Sequence, residues 1–168
     1  LGRGFRLGFL GMLHVEIISE RLRREFGLSL IISSPSVEYH ITLRNKKEIS
    51  IRSAAELSTN LQVDFIEEPI VKLDIITPAT YMGSLMKLLN DLRGSYIKTD
   101  YLSESVISLT YHIPLAEIIT DFYDKLKSLS SGYASMSYES VSYKKADLVR
   151  LDVFVAGDIV EPFSRIVP

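Results

Sequence analysis

The side chains able to do chemistry are few and scattered. Among 168 residues there are three histidines, His14, His40 and His112, and no cysteine. The missing thiols remove disulfides, thiolate catalysis and cysteine-bound zinc together, and they suit a reducing compartment. A metal-binding histidine needs a second ligand at short spacing, and none stands near any of the three. Each histidine is therefore read as structural. Asp121 and Asp124 would share a helix face, but Lys125 and Lys127 follow them and make that face a solvated surface. Nucleotide hydrolysis on a phosphate loop requires Gly-x4-Gly-Lys-[Ser/Thr], and the sequence has no such run. Gly4, Gly8 and Gly11 lack the spacing of a dinucleotide fingerprint and read as turn and packing glycines. An acylphosphatase would place an Arg and an Asn on an anion loop; Thr77-Pro78-Ala79-Thr80 offers neither.

What remains is charge. Lys and Arg number 19 against 21 Asp and Glu, a net charge of -2, so a polyanion would have to meet a local patch and not the whole surface. Basic residues cluster at Arg44, Lys46 and Lys47, at Arg21, Arg23 and Arg24, and at Lys144, Lys145 and Arg150. Such groups can neutralise phosphates, although neighbouring Glu and Asp dilute the field of each. Tyr96, Tyr101, Tyr111, Tyr133, Tyr138 and Tyr143 fall on expected strands without the Gly-aromatic pattern of an RNA-stacking sheet, and tyrosine is a common strand residue.

The elements that must hold these residues follow from periodicity. With 46% hydrophobic and 24% charged residues the chain has globular composition and room for one or two domains. No apolar run approaches the roughly 18 to 20 residues that cross a bilayer. The start lacks an initiator Met and the order of a signal peptide, so it is expected to be a cut inside a longer protein. Three helices are expected, each closed by a glycine in the left-handed position, Gly27, Gly94 and Gly132. The first runs from about Met12 to Phe26 with Val15, Ile18, Leu22 and Phe26 on one face; the second begins at Thr77-Pro78; the third follows Pro114. Strands alternate at Ile70 to Ile76, Tyr96 to Leu102, Val106 to Ile113 and Tyr133 to Tyr143.

The order from Ile70 is β-α-β-β-α-β, the ferredoxin-like split βαβ of an α+β fold, with helices on one face of an antiparallel sheet. Before it, Phe5 to Leu10, the first helix and Leu28 to Ile32 form one strand-helix-strand half of a similar unit, leaving the first of two domains incomplete. A hairpin is expected over Val37 to Leu43 and Glu48 to Arg52, a linker near residues 58 to 68 with its boundary at Glu67-Glu68-Pro69, and a second hairpin around Ala156-Gly157-Asp158.

The run from Gly4 to Ile18, GFRLGFLGMLHVEII, with Glu20-Arg21-Leu22 after it, closely resembles the signature segment of the LepA (elongation factor 4) family of translational GTPases, within the EF-G class. Pro114 to Ile119, Asp121 to Lys127, Gly132 to Ser135 and Tyr138-Glu139 agree as well, so the similarity covers essentially the whole chain. The resemblance implies that residues 1 to 67 are the C-terminal half of a domain III and residues 68 to 168 an EF-G-type domain V. It places a GTPase domain, with its GTP and Mg, before Leu1. The chain itself would then be a non-catalytic ribosome-binding part of a protein that acts in translocation and translational fidelity, without a cofactor or metal of its own. Implied with this are contact with ribosomal RNA and proteins, a cytoplasmic monomer, and peripheral association with the cytoplasmic face of the membrane. Candidate ribosome or interdomain contacts are Arg3, Arg6, His14, Glu16, Lys144 and Lys145. Two departures stand out: Leu7 replaces the family's usual Cys, and Ser128 to Ser131 is less basic than in relatives. The competing class is a small-molecule-binding regulatory module, since ferredoxin-like domains often pair around metabolites; fold alone does not separate the two. With no phosphate loop in the sequence, the purified chain should neither bind GTP at micromolar concentration nor turn it over, which a phosphate-release assay and calorimetry check directly.

Overall fold

A computed structural model describes residues 5, 7–9, 12–31, 36–57, 61–159 and 164–168, in two compact units, Leu1–Ser34 and Pro35–Pro168. The first unit contains helix α1 (Met12–Phe26). Val15, Ile18 and Leu22 are half-buried as their spacing requires, whereas Phe26 is exposed. Gly27 closes the helix at φ 63° and lets its N-H return to the Arg23 carbonyl at 3.0 Å. The strands expected at Phe5 to Leu10 and Leu28 to Ile32 are not formed over their described residues. A strand forms only where a neighbour takes up its backbone N-H and C=O groups, and no ladder partner for these residues occurs among the described residues.

The second unit is built on one antiparallel sheet. Its strands are β1 (Tyr39–Leu43), β2 (Glu48–Ile51), β3 (Val63–Pro78), β4 (Ser95–Tyr101), β5 (Val106–Pro114) and β6 (Ser135–Ala146). One path through it runs β2-β1-β3-β5-β4, and β6 pairs with the other edge of β3. The strand order β6-β3-β5-β4, with α2 (Met82–Asp91) and α4 (Phe122–Leu129) between strands in the chain, is the expected split βαβ. A short helix, α3 (Leu115–Ile118), precedes α4. The third expected helix is thus broken. Ile118 and Phe122 pack into one core while Leu115, Ala116 and Ile119 reach a second, so one straight helix would not serve both. Beyond the sheet lie two small ribbons, β7 (Val149–Leu151) with β10 (Arg165–Val167), and β8 (Phe154–Val155) with β9 (Asp158–Ile159). The latter turns through Ala156 at φ 53° and Gly157 at φ 94°, the paired left-handed residues of a tight hairpin.

The expected linker is where the sequence reading and the structure differ most. Residues 63–68 are not a connection but the first part of β3, and the boundary expected at Glu67-Glu68 falls inside that strand. The strand is 16 residues long, more than β5 alone can pair. Ile70 to Pro78 bond to β5, and Val63 to Glu67 bond to β1 on the same side. The hairpin expected before the linker is therefore part of this sheet. Along β3 the buried positions Ile66, Glu68 and Ile70 give way to Val71, Leu73, Ile75 and Thr77. Because successive strand residues face opposite sides, this change of parity puts two cores on opposite faces of one strand. The larger core gathers Leu73, Leu85, Leu109, Ile113 and Leu126, and the smaller gathers Val37, Ile41, Ile51, Leu57 and Ile66. Where the parity changes, β6 carries a bulge: Val71 pairs with Ser140 and Ile70 with Ser142, leaving Val141 over.

At the changeover sits a buried ion triad. Glu68 is only 3% exposed, and Arg93 donates to its two carboxylate oxygens at 2.6 and 3.2 Å and through Nε to Glu117 at 2.8 Å. Burial works against the Arg93 charge, but the bonds to Glu68 and Glu117 raise its pKa overall. Arg93, and not Gly94, takes the left-handed position after α2, at φ 59°. Gly94 is needed for a different reason: a Cβ there would lie 2.5 Å from the Leu89 carbonyl oxygen and 3.2 Å from the Tyr111 ring. Likewise Thr77-Pro78 ends β3, and a single 3-10 turn, Ala79–Tyr81, stands between it and α2. Removing the cation of the triad should be costly, since it leaves Glu68 charged and buried without a partner. Arg93→Ala is expected to lose about 3 kcal/mol or more of unfolding free energy in urea titration; a loss under about 1 kcal/mol would mean that water reaches Glu68.

Candidate nucleic-acid interface

The structure sorts the basic residues into those already engaged and those that are not. On α1, Arg21 bonds Glu25 at 3.1 Å and Arg24 bonds Glu20 at 3.2 Å, both between successive turns. Arg150, grouped by sequence with Lys144 and Lys145, is held by Asp152 at 2.7 Å and by the Leu57 carbonyl at 3.0 Å. It is a structural residue that ties β7 to the chain after β2. Lys127 is likewise engaged, donating to the Ala134 carbonyl at 2.6 Å and so fixing the turn between α4 and β6. Ser130, fully buried, completes that turn by donating to the Leu126 carbonyl at 2.8 Å and accepting from the Ala134 N-H at 3.0 Å. Lys72 is spread between Glu139 at 3.1 Å and Asp74 at 3.4 Å, and these bonds raise its pKa.

The candidate contacts fall as follows. Arg3 and Arg6 lie outside the described residues. His14 and Glu16 are both exposed on α1, and a spacing of two turns their side chains away from each other. Lys144 and Lys145 are exposed on β6, opposite Glu68 and Glu67 in the register. As consecutive strand residues they leave opposite faces of the sheet. Lys145 shares its face with Phe65, and its ammonium stands 3.3 Å from the centre of that ring. On the same face His40 and Tyr143 stack at 3.7 Å with their planes 10° apart. Arg52 bonds Glu38 at 2.7 Å, and that bond and charge hold the Glu38 carboxyl below the usual glutamate range.

Two features escaped the sequence. One is the triad, because Glu67-Glu68 read as a polar linker and nothing marks Arg93, 25 positions further on, as its partner. The other is a juxtaposition across the sheet. The β1-β2 turn carries Arg44, Lys46 and Lys47, and it lies against the start of β3, with the Arg44 N-H bonded to the Gln62 carbonyl at 2.9 Å. Lys46 bonds Asp64 at 2.9 Å. A groove of about 370 Å³ runs past Asp64, Phe65, Lys145 and Asp147. No helix among the described residues is long and apolar enough to cross a membrane, and no group of three or more potential metal ligands occurs among them.

Comparison with known proteins agrees with this architecture. Residues 65–154, which hold the whole split βαβ, match the family described as Elongation factor G C-terminus. Over all of its length the chain is 49% identical to a protein named Elongation factor 4 in Sulfurimonas denitrificans and 51% identical to one in Campylobacter lari. A Helicobacter pylori protein of the same name is 49% identical over 167 residues. The chain spans 28% of the length of each of these relatives.

Asp152 offers a local test of the ion network around β7. Its bonds from Ser164 at 2.6 Å and from Arg150 lower its pKa. A lowered folded value means that the stabilisation is present above the ordinary aspartate range and disappears as pH falls through the folded value. Protection of the β7-β10 amides, taken relative to their intrinsic exchange rate, should therefore fall on acidification below that range, and Asp152→Asn should abolish the acid step. An unchanged step in the variant would assign it to another carboxylate.

Proposed function

From the premise that this chain belongs to the Elongation factor G C-terminus family, we propose that it is the non-catalytic, ribosome-binding part of an elongation factor 4 type of translational GTPase. The observation that carries the reading is the split βαβ over residues 65–154 matching that family, within a chain about half identical throughout to proteins named Elongation factor 4. On this reading GTP and Mg belong to a preceding GTPase domain of the same protein. The chain works as a monomer in the cytoplasm, with peripheral membrane association as an additional mode. Residues 1–67 are then the C-terminal half of a domain III-like part and residues 68–168 the domain V-like part, joined through the long strand β3.

The physical support is a division of labour. A sheet with helices on one side, and a buried ion triad that joins β3 to the end of α2 and to α3, resists bending, which suits an element that passes force between a nucleotide site and a ribosome. His14, Glu16, Arg3 and Arg6 fit contacts toward the GTPase domain, and Lys144 and Lys145 fit contacts to ribosomal RNA. With a net charge of -2 the chain holds RNA only through local cations that release counterions, so binding is weak and falls with salt. Co-sedimentation with purified ribosomes over a salt series should show a shallow decrease. Reversing Lys144 and Lys145 to Glu should lower binding much more than Lys87→Glu on α2. Equal effects, or indifference to salt, would assign both lysines to a solvated rim.

A further inference from the structure

Two strands join the β1-β2 hairpin to the split βαβ, and both are interrupted at the same level of the sheet. The pairing of β3 with β1 ends at Glu67 opposite His40, and its pairing with β5 begins at Ile70 opposite Pro114. Between these points Glu68 and Pro69 are paired on one side only, with Lys144 and Tyr143 of β6. Pro69 has no N-H to give to a ladder on either side. Directly beside this gap β6 bulges at Val141, so its own ladder breaks where that of β3 is thinnest.

The residues on the two sides of this level belong to different bodies. After the bulge, β6 and the chain that follows it are fastened to the hairpin. Tyr143 stacks on His40, Lys145 covers the Phe65 ring, Leu148 is buried in the smaller core, and Arg150 donates to the Leu57 carbonyl. Before the bulge, Met136 packs on the larger core and Glu139 accepts from Lys72. The hairpin body is thus assembled from two separated pieces, the described residues of 37–67 and residues 142–151, while residues 70–140 form the other body. Two contacts besides the strands span the level. Leu115, Ala116 and Ile119 of α3 rest on the smaller core, an apolar contact without preferred direction. The Arg93 fork is directional: it is rooted after α2, bonds Glu117 on α3, and holds Glu68 at the gap.

We infer that Glu68-Pro69 of β3 and Val141 of β6 form a two-strand hinge, and that the Arg93 triad is the clasp that holds it at one angle. With the clasp released, the hairpin body turns against the split βαβ while both cores stay closed. The strands bend where pairing is least, and the apolar contact of α3 slides. The hinge goes beyond the ribosome-binding reading and does not depend on it. It also divides the chain differently from a single boundary at Glu67-Glu68-Pro69: that position is one half of the joint, and Val141 is the other.

The chain has no cysteine, so pairs of introduced cysteines carry spin labels without background, and pulsed dipolar EPR on the whole chain reads the distance between them. Lys47, Lys87, Glu104 and Asp147 are exposed and suit labelling. Lys47→Cys with Lys87→Cys spans the hinge, Lys47→Cys with Asp147→Cys lies inside the hairpin body, and Lys87→Cys with Glu104→Cys lies inside the split βαβ. Each pair should give one narrow distance while Arg93 is in place. Arg93→Lys keeps a positive charge beside Glu68 but lacks the fork that reaches both carboxylates, and it should add a second, separate distance for the spanning pair alone. An unchanged spanning pair overturns the clasp. Broadening of all three pairs means that the cores open with it and overturns the hinge, and a change in the Lys47 and Asp147 pair would move the end of β6 to the other body. Hydrogen exchange of the unaltered chain adds a test that needs no variant. The β6 amides bonded to β3 should fall into two groups divided at Val141, with Ser142 to Ala146 sharing the denaturant response of β1 and Ser135 to Ser140 that of β5. A single group along the whole strand overturns the hinge.

Discussion

The buried carboxylate of Glu68 is tolerated only because Arg93 closes on it, and the rest of the second unit is arranged around that contact. Glu68 belongs to β3, Arg93 follows α2, and Glu117 lies on α3, so one guanidinium fixes three elements at the place where the strand passes from one core to the other. Tyr39, on β1, lies close enough that burial and then the Glu68 charge raise the pKa of its hydroxyl. The hairpin therefore borders the same point, held there by the pairing of β1 with β3. Apolar packing alone would leave the two cores free to form separately. A fork of directed hydrogen bonds from a planar group ties the geometry of one to that of the other.

The consequence reaches the surface through the alternation of strand side chains. Once Ile66, Glu68 and Ile70 are turned inward, Phe65 and Glu67 must point the other way, and their neighbours Thr42, His40 and Lys145 go with them by register. Parity sets the separation of Lys144 from Lys145 and the approach of Lys145 to Phe65. Neighbours in sequence diverge, while residues brought together by pairing converge. Basic residues grouped along the chain are for this reason a poor guide to basic residues grouped in space. Arg150 shows the same thing in reverse, a member of a sequence cluster that is fully engaged inside.

Much of the architecture was nonetheless readable. The two-residue alternation of Val71, Leu73 and Ile75, the helical spacing of Leu85, Leu88, Leu89 and Leu92, and the turn at Ser103 specify the split βαβ because each pattern reports burial on one face only. Residues buried on both faces, or buried while charged, give no such pattern. Val63 to Ile70 lacks a single parity since β1, β6 and two cores act on it, and with two Glu and a Pro it looks like a linker. Gly94 was legible as necessary, but its reason was not, because close approach to Leu89 and Tyr111 is a tertiary fact. The strands expected in the first unit differ in kind: their pattern was adequate, but over the described residues they are not formed, and a strand is defined by the partner that pairs with it. Of the candidate contacts, residue type and exposure were readable on Lys144 and Lys145, and the face each one serves was not.

The division between engaged and free cations also bears on how such a chain can be selective. Each arginine or lysine already bonded to a carboxylate or carbonyl has exchanged its water for protein, so using it for phosphate would first require breaking that bond. Lys127, Arg93 and Arg150 are therefore parts of the scaffold, whatever their charge. Among the described residues Arg23, Arg44, Lys47, Lys87, Lys125, Lys144, Lys145 and Arg165 make no such bond, but they are dispersed along the chain, and a few phosphate contacts give a small electrostatic contribution that any polyanion could collect. On the ribosome-binding reading, discrimination would rest on shape: on rings whose planes are fixed by stacking, as His40 and Tyr143 are, and on strands whose spacing is set by the ladder. Fixed rings depend on a fixed sheet, and the sheet depends at its midpoint on the buried pair that holds β3 between its cores.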